Sequence, residues 1–146
     1  VVLMGERWNG DAGELSAINW LIEAGAHVSL PMFSDPDYDV VADFDGRLQR
    51  VQVKTSGQWH KGRFTVSLCT RGGNQSWNRI VKTLDASRCD SVFVHLVGGR
   101  RWFIPACELG GRTAICLGGP STPSSRSSRE ARCRAGARQL RKDPRR

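Results

Sequence analysis

Glu14, Asp39, Gln52 and Lys54 are the side chains in this sequence whose types suit a hydrolytic metal site. Two carboxylates and an amide are hard oxygen donors of the kind that hold magnesium. A lysine beside such an ion can polarise an attacking water or offset charge on a phosphate. That combination suits metal-assisted hydrolysis of a phosphodiester, provided that the fold brings distant parts of the chain together.

The elements that would do so are legible. Asp45-Gly46 lies between Asp39-Val40-Val41-Ala42-Asp43 and Leu48-Gln49-Arg50-Val51-Gln52-Val53-Lys54-Thr55, and Asp-Gly between strand-like runs signals a tight hairpin. A two-residue turn pairs Phe44 with Arg47, which in turn sets Asp39 opposite Gln52, with Lys54 one diagonal step away on the same face. Before the hairpin, Leu15, Ile18, Leu21 and Ile22 recur at helical spacing, predicting a helix over Asp11 to Ala24 with Asp11 as N-cap and Gly25 as stop. Glu14 falls between Ile18 and Leu21 on the stripe that must face the sheet, so its carboxylate is expected to point inwards beside Asp39. Its spacing from Asp11 also fits a capping box, in which it would only satisfy a backbone N–H.

Further strands are expected at His27 to Leu30, at Arg63 to Cys69, and in a second hairpin of Ser91 to Leu96 and Arg100 to Ile104 around Val97-Gly98-Gly99. Thr70 to Asp90 is ambiguous between a helical face of Trp77, Ile80, Val81 and Leu84 and a glycine-led loop. His27 and His95 read as packed strand residues and His60 as part of a polar loop. Trp20 and Trp102 look like core, and Trp8, Trp59 and Trp77 flank loops, where burial is the favoured reading.

The chain has 146 residues and a net charge of +8, but that charge is uneven. Residues 1–117 carry 13 basic and 12 acidic side chains, whereas 118–146 carry 9 and 2. The basic balance therefore says little about the folded part. Residues 118–146 are rich in Ser, Pro and Arg and too poor in apolar residues to offset chain entropy, which predicts a folded domain over 1–117 and a disordered basic tail over 118–146. Five cysteines without a C-x-x-C pair argue against a disulfide framework or a zinc site. With an opening too short for a secretory signal and no apolar run of membrane-spanning length, they predict a cytoplasmic protein.

The order Gly13-Glu14-Leu15, Tyr38-Asp39-Val40-Val41 and Val51-Gln52-Val53-Lys54, with Phe103-Ile104-Pro105 on a late strand, resembles the PD-(D/E)XK nuclease superfamily. The likeness runs from about Asn9 to Leu117. Within the superfamily it is nearest to the branch containing a bacterial group I intron homing endonuclease, with archaeal Holliday-junction resolvases more distant. The resemblance implies an α/β, restriction-endonuclease-like core: a central mixed β-sheet flanked by helices. It implies a divalent-metal-dependent DNA endonuclease, with Glu14, Asp39 and the Val53 backbone carbonyl on Mg2+ or Mn2+ and Lys54 as the signature lysine. Gln52 stands where the family usually has Asp or Glu, and glutamine occurs there in the homing-endonuclease branch. Double-stranded or branched DNA and a homodimer are the implied partners. Gln58, Lys61, Arg63, Arg71, Asn74, Gln75 and Arg79 are then the candidate DNA contacts. The alternative is a module that binds DNA on the same fold without cutting it.

Overall fold

The computed structural model describes residues 6–33, 36–71 and 81–118. Helix α1 (Glu6–Glu23) leads into β1 (His27–Ser29), β2 (Val40–Phe44) and β3 (Arg47–Ser56). Asp45 and Gly46 have φ of 53° and 83°, the two positive values a type I′ turn requires. The predicted register follows: Phe44 pairs with Arg47 and Val40 with Val51.

The helix begins five residues before Asp11, so Asp11 is not its N-cap and Glu14 lies mid-helix, which removes the capping-box reading. Its end is as expected. Gly25, at φ 90°, donates to the Ile22 carbonyl at 2.9 Å, while Ala26 donates to Leu21 at 3.0 Å, which closes the last turn. The buried stripe differs from the one read off the large aliphatics: Gly13, Ala17 and Leu21 face the sheet, whereas Leu15 and Ile22 are 67% and 58% exposed. The cause is proximity. A Cβ built at Gly13 would overlap Thr55 Oγ1 on β3, and only small residues permit so close an approach.

After β3 come β4 (Trp59–His60), β5 (Arg63–Ser67), β6 (Thr70–Arg71), β7 (Val81–Lys82), β8 (Ser91–Leu96), β9 (Arg101–Pro105), a 3₁₀ turn (Ala106–Glu108) and β10 (Ala114–Leu117). The central sheet has the order β1-β2-β3-β8-β9 and is mixed: β3 and β8 run parallel and the other neighbours antiparallel. Among the described residues, one face carries α1 and the other is covered by a second sheet, β10-β5-β4. Strand β8 is buried by both layers, with Phe93 in the helix-side core beside Val40, Ala42 and Val51, and Val92, Val94 and Leu96 in the other core beside Val66, Leu68 and Ile115. Trp20 lies against Phe93 and Phe103, at centroid separations of 5.8 and 5.0 Å.

Two short strands, β4 and β10, have no counterpart in the sequence reading. Within Thr70 to Asp90, Thr70–Arg71 and Val81–Lys82 pair as β6 and β7, and Leu84 packs on the second core. Residues 72–80 and 119–146 lie outside the described residues, as do the expectations placed on Trp77, Asn74, Gln75, Arg79 and the tail.

Candidate active site

At the start of β2 the backbone ladder is completed by a side chain. Asp39 N–H donates to the Val51 carbonyl at 2.9 Å, and the Val53 N–H donates to Asp39 Oδ2 at 2.6 Å. The carboxylate therefore takes the place of a strand carbonyl and is fixed in the plane of the sheet beside β3. Burial raises the Asp39 pKa, opposed by the Val53 N–H and the Lys54 charge.

Lys54 follows Val53 and turns to the opposite face from α1. Its Nζ donates to the Cys69 carbonyl at 3.3 Å, in the segment joining β5 to β6. Burial lowers the Lys54 pKa, and the neighbouring Asp39 charge opposes that shift. Glu14 approaches from the helix side. Burial, then the charges of Asp39 and Asp11, hold its carboxyl above the usual range. It is exposed at the rim of the α1–sheet contact rather than pointing into the core, a correction to the sequence reading that follows from the helix's narrow Gly13-Ala17-Leu21 stripe. The Glu14 carboxylate thus lies within range of the Asp39 charge.

Gln52 alternates with Val51 and Val53, which places it on the Lys54 face, 6% exposed. It lines a small cavity with Asp37, Lys82, Thr83, Leu84, Asp85 and Cys89. The Asp37 carboxylate meets Arg88 Nε at 2.8 Å and Lys82 Nζ at 3.7 Å, tying residues 82–88 against the strand entry that carries Asp39.

This donor set fits a divalent cation. Burial and the Asp39 charge raise the cost of ionising Glu14, burial does the same for Asp39, and a cation beside the two carboxylates would offset that cost. The set is also lean: among the described residues no three His, Cys, Asp or Glu side chains group as ligands, consistent with an amide at position 52.

A family model described as PD-(D/E)XK endonuclease matches residues 4–110, most of the chain. The protein belongs to that family. A solved structure of a bacterial homing endonuclease, I-Ssp6803I, superposes on this nuclease with a TM-score of 0.69 over 85% of each chain at 21% identity, which supports the same mixed-sheet fold. No curated protein matches the sequence. No helix among the described residues is long and apolar enough to cross a membrane.

The candidate DNA contacts of this endonuclease fall in two places. Gln58, Lys61 and Arg63 are exposed on the β4–β5 hairpin. Arg71 ends β6, while Asn74, Gln75 and Arg79 lie outside the described residues. Sequence reasoning passed over two structural contributors, Gly13 and Asp37. A glycine inside a helical run does signal close packing, and Asp37 stands in the turn-rich stretch before β2, but neither signal names its partner.

Proposed function

We propose that this PD-(D/E)XK nuclease is a divalent-metal-dependent DNA endonuclease whose chemistry rests on Glu14, Asp39 and Lys54. The observation that carries the reading is the Asp39 carboxylate locked to Val53 N–H, with its charge felt by Glu14 and Lys54. Glu14 and Asp39, with the Val53 carbonyl, would hold Mg2+ or Mn2+, which supplies Lewis-acid charge at the scissile phosphate and a more acidic bound water. Asp39 keeps its orientation without waiting for a ligand, because its second task is to complete the sheet. Lys54, held by the Cys69 carbonyl, presents N–H donors to a phosphate oxygen or to the attacking water, and Gln52 positions that water or the metal through its amide.

Duplex or branched DNA is the proposed substrate and a homodimer the proposed working form, since twofold symmetry sets one site against each strand. Cleavage of supercoiled plasmid and a synthetic four-way junction in magnesium, compared with chelator, tests the proposal. Lys54→Ala is expected to lower the cleavage rate about 10²- to 10³-fold while leaving DNA affinity in chelator unchanged. Equal cutting by the wild type and the variant would refute the role given to Lys54. The neutral Gln52 favours a second reading, a DNA-binding module without cleavage. That reading predicts DNA binding with no cutting in either Mg2+ or Mn2+.

A further inference from the structure

The β4–β5 hairpin carries an aromatic that packing alone does not explain. Trp59 reads from sequence as a buried anchor, yet it is 54% exposed. It meets Phe64, its cross-strand partner, edge-on at 4.6 Å, and the Arg100 guanidinium stands 5.9 Å from the same Phe64 ring. One ring thus supports both an exposed indole and a cation.

The surroundings select an anionic partner. Lys61 and Gly62 form the hairpin turn with φ of 49° and 78°, so Lys61 projects at the tip, with Arg63 beside it. Residues 57–67 and 97–100 together contain Lys61, Arg63 and Arg100 and no acidic residue. An exposed tryptophan on a basic rim is how proteins hold a nucleobase, by stacking on its face while cations meet the phosphates.

The hairpin is fixed to the strand that bears Lys54. Ser56 Oγ donates to the Thr65 carbonyl at 2.6 Å and accepts the Gln58 N–H at 3.2 Å, and Thr65 N–H donates to the Gln58 carbonyl at 2.9 Å. Trp59 is five residues beyond Lys54. Fully extended, that span is at most about 17 Å, or about five base pairs along B-form DNA. We propose that Trp59, backed by Phe64 and Arg100, is a stacking platform for a nucleobase displaced from duplex DNA within about five base pairs of the phosphate bound beside Lys54. The inference rests on the endonuclease reading for its substrate, and it adds that the enzyme favours DNA with an unstacked base near the cut.

Fluorescence anisotropy of the full chain in chelator, with a labelled duplex and the same duplex carrying a small unpaired bubble, separates the two ideas. The wild type is expected to prefer the bubble. Trp59→Leu should weaken bubble binding about 5- to 100-fold and bring it close to the duplex value, while Trp59→Phe keeps part of the preference. Paired Lys61→Ala and Arg63→Ala changes should weaken both DNAs in the same ratio. The platform is refuted if the wild type shows no preference, or if Trp59→Leu keeps it at an unchanged melting temperature. Cleavage in magnesium is scored separately: bubble preference without cutting refutes the endonuclease and leaves the platform, and cutting without bubble preference does the reverse. Absence of binding to either DNA overturns both.

Discussion

Asp39 has two tasks that one substitution can separate. Its Oδ2 accepts the Val53 N–H at 2.6 Å, a structural bond, and its charge faces Glu14 and Lys54, a chemical arrangement. Asp39→Asn retains an acceptor for Val53 while removing the charge, so thermal stability should stay within about 1 kcal/mol of wild type. Cleavage should nevertheless fall by at least about 10²-fold, because the proposed metal loses a carboxylate ligand. Asp39→Ala removes both and should cost a further 1–3 kcal/mol or so, for a strand N–H left without its partner. Denaturant titration beside plasmid cleavage would distinguish the two, and an Asn variant that cuts normally would rule out the charge as essential. The hairpin register was legible from the Asp-Gly turn as far as the Val40–Val51 pair; beyond it Asp39 bonds Val51 and Val53 rather than pairing with Gln52, which a turn residue cannot foretell. What the turn leaves open is which face α1 covers, so the sequence sets Glu14 inwards, whereas the structure leaves it exposed at the rim, within range of the Asp39 charge.

At the scale of elements, two contacts hold the site in register. The first is the approach of α1 to β3 at Gly13. Alanine in a helix interior is ordinarily better than glycine by about 1 kcal/mol, but an added Cβ would strike Thr55 Oγ1, and overpacking costs about 1–3 kcal/mol. Gly13→Ala should therefore destabilise the fold by up to about 2 kcal/mol and, by shifting the helix, impair Glu14 and with it cleavage. Adding Thr55→Ala removes the obstructing oxygen and leaves only ordinary contacts to Thr55 Cβ and Val53 Cγ1, so the double variant should recover both properties. Loss that persists in the double variant would show that Gly13 acts otherwise. The second contact is Asp90, which accepts the Arg50 backbone N–H at 2.7 Å, Nε at 3.0 Å and a terminal nitrogen at 3.0 Å, fixing β8 parallel to β3. The Arg50 side-chain hydrogen bonds hold the Asp90 carboxyl below its usual value of 3.8. Its contribution is complete above that value and is lost as pH falls through the lower folded value. Asp90→Ala should cost about 1–2 kcal/mol between about pH 5 and 8, discounted for the pair's exposure, with the gap to wild type closing in acid. A gap that stays constant into acid would assign the loss to packing instead. Neither contact was readable beforehand, since a lone aspartate or glycine does not name a partner tens of residues away.

Over the whole molecule, strands with strict patterning or a diagnostic turn were legible, and the two-residue β4 and the four-residue β10 were not, because so short a run carries no periodicity of its own. β10 is placed by burial, since its Ile115 and Leu117 help cover the outer face of β8, whereas the exposed β4 is held by its pairing with β5. Charge is the other property of the whole molecule, and its distribution separates affinity from chemistry. The candidate site lies wholly within residues 14–54, while residues 118–146 carry 9 basic side chains against 2 acidic ones. If those cations meet phosphates, each releases condensed counterions and contributes about 0.9 to the slope of log affinity against log salt. A chain ending at Leu117 should then bind nonspecific duplex more weakly at low salt and with a shallower salt dependence, and the two chains should converge as salt rises. Its cleavage rate at saturating DNA should match that of the full chain, because none of the proposed metal, water or phosphate contacts has been removed. An equal salt slope in both chains would show that the tail makes no phosphate contact, and a lower saturated rate in the shorter chain would place part of the catalytic apparatus beyond Leu117.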